Sequence, residues 1–136
     1  MYGIIATWRM ALEGISKADS MLKNNESAAN SIEEAIKAVE NFEYYKSVGY
    51  GGLPNEEMEV ELDAAFMDGD TLEFGCVGGV KDFANPVSIA RSLMHYDVNN
   101  FLVGQGAEKY ASRHGFERKT MLTDRAKIHY HKRIKE

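Results

Sequence analysis

The stretch of this chain best suited to chemistry is Ser47-Val48-Gly49-Tyr50-Gly51-Gly52-Leu53-Pro54-Asn55. Gly49, Gly51 and Gly52 allow left-handed or crowded backbone and a close approach to a ligand or another chain. The same composition suits a plain tight connector between a helix and a strand, so both readings stand. It is not a phosphate loop, because the Gly-x-x-x-x-Gly-Lys-Ser/Thr spacing is absent. The lone tryptophan, Trp8, is either a packing residue or the flat wall of a pocket whose N–H seeks an acceptor. His129 and His131 flank Tyr130, and their spacing points them to different faces of a helix, which argues against a shared metal. No His-Glu-x-x-His or paired-cysteine pattern occurs, so no metal site is expected. Cys76 falls at an alternating position of a strand-like run, where a buried, inert thiol is expected. Asp63 and Asp68 flank a turn and read as turn and edge residues, since nothing near them in sequence completes an acid–base pair.

The elements that must position these residues follow from periodicity. Gly3 to Thr7 is a short β-branched run and reads as a buried strand. Met10, Ala11, Ile15, Ala18, Met21 and Leu22 recur at helical spacing until Asn24-Asn25. A second helix carries Ile32, Ala35, Ile36, Val39 and Phe42 on one stripe and Glu33, Glu34, Lys37 and Glu40 on the other face. Ser27 can cap it, with Ser31 and Glu34 as a rival capping box. Val60, Leu62, Ala64 and Phe66 then alternate with polar or small residues, Asp68-Gly69-Asp70 turns the chain, and Leu72, Phe74, Cys76 and Gly78 resume the alternation. This predicts a β-hairpin. Asn85 is the expected cap of a helix with Pro86 at its first position, built on Val87, Ala90, Leu93 and Met94. Phe101 to Val103 is a further strand, Ala107 to His114 a short helix stopped by Gly115, and Thr123 the cap of a last helix rich in Arg125, Lys127, Lys132, Arg133 and Lys135.

That order implies helices packed on a sheet, and the hairpin excludes a purely parallel one. About four strands would leave apolar edges for something else to cover, which reads as part of a larger sheet structure.

Composition narrows the class. The 136 residues are 44% apolar and 27% charged, the make-up of a globular chain of about one domain. The net charge of −5 argues against a nucleic-acid binder. A single cysteine points to no oxidising compartment. No apolar run approaches the roughly 18 residues of a membrane span, and residues 1–7 lack the features of a signal peptide. Cytoplasmic residence is the expectation. Seven of the 12 glycines lie between positions 49 and 79, whereas no internal repeat or linker divides the chain.

Several blocks, in order, carry a resemblance. Thr7-Trp8, the Ser47–Asn55 block, Leu62-Asp63-Ala64 with Met67-Asp68-Gly69, Asn85-Pro86 with Ala90-Arg91, and Leu102-Val103-Gly104 with Gly106-Ala107 resemble the α subunits of the glycosylasparaginase family. Its members are also called N4-(β-N-acetylglucosaminyl)-L-asparaginases or aspartylglucosaminidases. The resemblance implies an α/β fold, the αββα sandwich of the N-terminal nucleophile hydrolases, with this chain supplying part of the layers. Residues 1–136 would be a single domain, the α subunit of an autoprocessed two-chain hydrolase. The β subunit would begin with a catalytic threonine whose hydroxyl attacks the side-chain amide of an asparagine while its α-amino group serves as base. The chain alone would be inactive. Thr120 and Thr123, preceded by Lys119 and Leu122, do not match the Asp-Thr cleavage junction of the family.

By the same resemblance, Ser47 matches the serine that hydrogen-bonds the nucleophile's amino group and Trp8 the tryptophan lining the substrate pocket. Gly49, Gly51 and Gly52 would let the loop lie against the new N-terminus. No cofactor is implied, and a homodimer of αβ units is. Met10, Met58 and Tyr96-Asp97-Val98-Asn99 depart from the family pattern, which bears on the amide preferred. The expected reaction is cleavage of the β-amide of N4-(β-N-acetylglucosaminyl)-L-asparagine. The alternatives are an L-asparaginase or isoaspartyl peptidase of the same fold, and a non-catalytic α-like binding chain.

Overall fold

The computed structural model describes residues 1–134; Lys135, counted above with the basic last helix, lies outside them, as does Glu136. Among the described residues the chain runs through a 3-10 turn, Arg9–Ala11, then α1 (Leu12–Lys23), α2 (Ala28–Glu40), β1 (Glu61–Met67), β2 (Phe74–Lys81), α3 (Pro86–Leu93), β3 (Phe101–Val103), α4 (Gly104–Arg113) and α5 (Asp124–Arg133). It is a mixed α/β arrangement. The sheet order is β1-β2-β3, with β1 antiparallel and β3 parallel to β2, as the hairpin requires.

The helix starts follow local chemistry. Ser27 Oγ accepts a hydrogen bond from the Asn30 amide at 3.1 Å and caps α2. Its rival, Ser31, lies inside the helix and donates its hydroxyl to the Ser27 carbonyl. Thr123 caps α5 by accepting from the Ala126 amide at 3.2 Å. Helix α3 differs from expectation. Asn85 sits at its cap position with Pro86 following, but in a left-handed conformation (φ 52°) that turns the side chain away, and it makes no cap hydrogen bond. Helix α4 begins earlier than expected, at Gly104, and ends before Gly115, which has φ 77°.

Gly3 to Thr7 does not form a strand. Ile5 is 93% exposed. A β-branched run has strand character only when another edge pairs with it, and no strand of the described chain lies alongside. The sheet accordingly has three strands rather than about four.

The main core gathers Phe66, Val77 and Val80 from the sheet, Val87, Ile89, Ala90 and Leu93 from α3, and Ala107, Tyr110 and Ala111 from α4. Burying each large side chain stabilises by roughly 1.5–3 kcal/mol. Ile36 of α2 packs against the edge of this core, and α1 packs on α2. On β1 the alternation holds, with Leu62 and Phe66 buried and Glu61, Asp63, Ala65 and Met67 exposed. On β2 the expected parity is reversed: Gly75, Val77 and Val80 face the core, while Phe74, Cys76 and Gly78 lie on the other side. Cys76 is therefore a half-buried free thiol on the outer face rather than a core residue. Gly75 accounts for the reversal. It sits beneath α3, where a Cβ would overlap the Ala90 carbonyl and come within 2.9 Å of Leu93 Cβ, so a buried position of the strand carries no side chain to announce it.

The register shifts between Leu62 and Ala64, which pair with Val80 and Val77, so Gly78 and Gly79 oppose Asp63 in a bulge. A second, smaller core of Val60, Leu62 and Met121, with Tyr50 against it, fastens the glycine loop to the chain that leads into α5.

Candidate active site

A cleft of about 300 Å³ opens between the end of α2, the glycine loop, β1 and the start of α3. Ile36, Val39, Leu62 and Ala64 give it an apolar lining, and Ser47, Asp63 and Glu61 bring polar groups to it. Such a mixture suits a small polar ligand with an aliphatic body.

The loop is built onto the helix that precedes it. Gly49 has φ 63°, and a Cβ there would collide with the Glu40 carbonyl and Cα. No other residue fits. The Tyr50 amide donates to that carbonyl at 2.7 Å, the Gly51 amide to Met121 O at 2.9 Å, and the Leu53 amide to Lys46 O at 2.9 Å. Lys119 Nζ lies 3.9 Å from the centre of the Tyr50 ring. Ser47 itself is exposed at this loop and lines the cleft together with Gly49. Gly52 donates its amide to Gly49 O within the same turn. The loop is thus both a tight connector and one wall of a cavity.

Trp8 is placed differently. It is 70% exposed, in extended backbone ahead of the 3-10 turn, and is not among the residues lining the cleft. Within the described chain, Ser47, Gly49 and the cleft come together and Trp8 stands apart.

Two carboxylates take roles that the sequence reading did not assign. Glu40, placed there on the solvent face of α2, is only 5% exposed. Its Oε1 accepts from the Val87 amide at 3.1 Å and its Oε2 from Asn85 Nδ2 at 3.1 Å, so it satisfies the α3 N-terminus that Asn85 leaves uncapped. Burial pushes its pKa up to about 7; the bonds from Asn85 and Val87 oppose the rise, Glu33 adds to it and Lys37 counters it. The signal was present in the spacing: Ile32, Ile36 and Glu40 succeed one another at i+4 and share one stripe. Asp63 is the other. Its Oδ1 accepts from the Gly79 amide at 2.8 Å across the bulge, which holds the carboxylate at the cleft. Asp68 keeps its expected turn role, and bonds from the Thr71 and Asp70 amides hold its carboxyl below the usual range.

Among the described residues no three His, Cys, Asp or Glu side chains gather as a metal site would need, and no helix is long and apolar enough to cross a membrane. His129 borders a surface notch with Lys46, Lys132 and Arg133, and His131 sets its ring edge-on to Tyr130.

The outer face of the sheet borders this site. Met67 and Phe74, Phe101 and Val103 surround Ala65, Cys76 and Gly78 on that face. The four larger side chains are all exposed, Phe101 to 57%. Together they form an exposed apolar patch on the sheet.

The family model described as Asparaginase matches residues 5–136. The chain is 38% identical over 127 residues to the isoaspartyl peptidase/L-asparaginase of Rattus norvegicus, covering 88% of this chain and 38% of that protein. It is 33% identical over 120 residues to the N(4)-(beta-N-acetylglucosaminyl)-L-asparaginase of Elizabethkingia miricola, covering 88% and 35%. With the isoaspartyl peptidase/L-asparaginase of Xenopus laevis it shares 30% over 135 residues, 96% of this chain and 43% of that protein. The chain thus spans less than half the length of these relatives, whose names divide between isoaspartyl peptidase/L-asparaginase and N(4)-(beta-N-acetylglucosaminyl)-L-asparaginase. Its glycine loop, its hairpin and nearly its whole length fall within one match, and the chain belongs to the asparaginase family.

Proposed function

We propose that this chain is the α subunit of an N-terminal threonine amidohydrolase that cleaves the side-chain β-amide of N4-(β-N-acetylglucosaminyl)-L-asparagine. The observation that carries the reading is Ser47, exposed at a cleft on a loop whose Gly49 is fitted to the end of α2. A partner β subunit would seat its N-terminal threonine against this loop. The bare sheet face, with Met67, Phe74, Phe101 and Val103 exposed, supports a partner that completes the sandwich. Two threonines of this chain have their hydroxyls engaged in its own fold: Thr123 Oγ1 accepts in capping α5, and Thr71 Oγ1 donates to Glu73.

In the reaction, the threonine hydroxyl adds to the amide carbonyl carbon while its own α-amino group takes the hydroxyl proton. The Ser47 hydroxyl hydrogen-bonds that amino group and keeps its lone pair directed at the proton. The amide C–N bond then breaks, its nitrogen leaves carrying the proton, and water hydrolyses the resulting ester to release aspartate. Trp8 walls the substrate, a role for which its exposed indole is free in this chain. This chemistry calls for no cofactor. The pairing of two αβ units belongs to the same reading, and so does cytoplasmic residence, which the unpaired Cys76 favours.

The second reading is an L-asparaginase or isoaspartyl peptidase, which the rat and Xenopus relatives favour by name. Intact mass and N-terminal sequencing of the purified protein test the two-chain arrangement: a second polypeptide beginning with threonine is expected. Its absence, with every subunit accounted for, leaves a non-catalytic binding chain. Turnover of N-acetylglucosaminyl-asparagine, asparagine and β-aspartyl dipeptides ranks the substrates, and a preference for the dipeptides makes the second reading the first.

A further inference from the structure

Glu40 poses a problem that its neighbours do not solve. A carboxylate this buried is costly unless an ion pair compensates it, yet the groups bonded to it, the Val87 amide and the Asn85 carboxamide, are neutral. Lys37, one turn back on α2, is engaged by Glu34 at 2.6 Å. Glu33 on α2 and Glu61 and Asp63 across the cleft are all acids, and the cleft lining holds no lysine or arginine. The left-handed backbone at Asn85 forecloses a local cap, so the acceptor for the α3 N-terminus comes from another element. What Glu40 offers instead is two attachments on one residue. Its side chain holds α3, and its backbone carbonyl, the last of α2, receives the Tyr50 amide of the glycine loop. Gly49 lies against that same backbone.

We propose that Glu40 is a positioning residue: its carboxylate and carbonyl together lock the Ser47 loop to the N-terminus of α3, and so fix where Ser47 stands at the cleft. The carboxylate does not touch the reacting atoms. It acts through Gly49 and Tyr50, whose placement sets the start of the loop. The consequence for catalysis rests on the reading under Proposed function, whereas the structural coupling does not.

The experiment is hydrogen exchange at single amides in the assembled protein, wild type against Glu40→Gln, with Arg91→Ala as control. The control breaks the Arg91–Glu33 pair between the same two helices without touching the loop. Glu40→Gln keeps one acceptor oxygen but sets an NH2 against either the Asn85 carboxamide or the Val87 amide, so the attachment to α3 is weakened. Exchange is expected to rise up to about tenfold at Val87, and to rise with it at Tyr50, while the strand amide of Val77 is unchanged. Faster exchange at Val87 alone makes Glu40 a simple cap and overturns the proposal, as does an equal rise at Tyr50 in Arg91→Ala. Should Glu40→Gln not fold, Asn85→Gly decides. It removes one donor to Glu40 while tolerating the left-handed backbone, and a smaller joint rise at Val87 and Tyr50 is expected. In the same protein, kcat for whichever β-amide the wild type hydrolyses is expected to fall about tenfold in Glu40→Gln with KM within about threefold. A rise in KM with kcat unchanged overturns the positioning role. If the wild type hydrolyses none of the three β-amides, the functional reading fails and the exchange result still decides the coupling.

Discussion

The two faces of the sheet are built from similar residues and have opposite fates. Beneath α3 and α4, Phe66, Val77 and Val80 are sealed in the core, and Leu62 is buried in the smaller one beside it. On the other side Met67, Phe74, Phe101 and Val103 are no less apolar and stand in the open. Composition alone therefore does not mark the interior of this chain; coverage does. The covered face carries the chain's own fold, and the open face is material for an interface.

Truncating the covered face is the most direct way to break that contrast. Leu93→Ala, at a fully buried site of α3, is expected to cost about 2–5 kcal/mol, read from urea unfolding. The matching change on the open face, Phe101→Ala, is expected to leave the chain's own stability within about 0.5 kcal/mol but to weaken assembly with a partner, read by sedimentation. If both substitutions destabilise alike, the faces are not different in kind. Thr123→Ala, which unties α5 and the strap next to the loop, is expected to cost about 1 kcal/mol in the same unfolding measurement.

Glu40 sharpens the comparison through pH. Its pKa is raised by burial from 4.5 to about 7, so the folded chain holds the proton that the unfolded chain releases. Its contribution to stability is fully present below pH 4.5 and is lost as pH rises through about 7. The unfolding free energy of wild type minus Glu40→Gln is therefore expected to decline across that window. A difference that is level with pH would remove the buried titration. The smallest effect sought is at Ser47: the Ser47→Ala chain is expected to unfold as wild type does, within about 0.5 kcal/mol, while hydrolysis by the assembled protein slows. An unaltered rate would take Ser47 out of the site.

Much of this was legible because periodicity reports burial. The alternation of β1, the hairpin turn at Asp68 and the caps Ser27 and Thr123 stand where their spacing placed them, whereas the α2 stripe holds only in part: Ala35, Ile36 and Val39 are half-buried, Ile32 is exposed, and Phe42 lies beyond the end of the helix at Glu40 and is exposed. What was illegible has common causes. Gly3 to Thr7 has the side chains of a strand, but pairing depends on a neighbour and not on the segment itself. The parity of β2 was hidden because its most confined residue is a glycine. Glu40 was assigned to solvent by its charge, although its spacing from Ile36 placed it on the buried stripe. The loop announced Ser47 through its glycines, whereas the relation of Trp8 to the cleft depends on contacts that its sequence position does not contain.

Gly75 has a consequence beyond its own strand. Helix α3 rests on β2 where one missing methyl group leaves room for backbone against backbone, with Met94 N only 2.8 Å from where that carbon would be. Like a gauge block between two plates, this contact sets the gap between helix and sheet throughout the neighbourhood, and Pro86 and Val87 at the near end of the helix inherit it as the back wall of the cleft. An alanine at that point is expected to push the C-terminal half of α3 off the sheet, and so to tilt the helix whose first residues line the cavity without touching any of them.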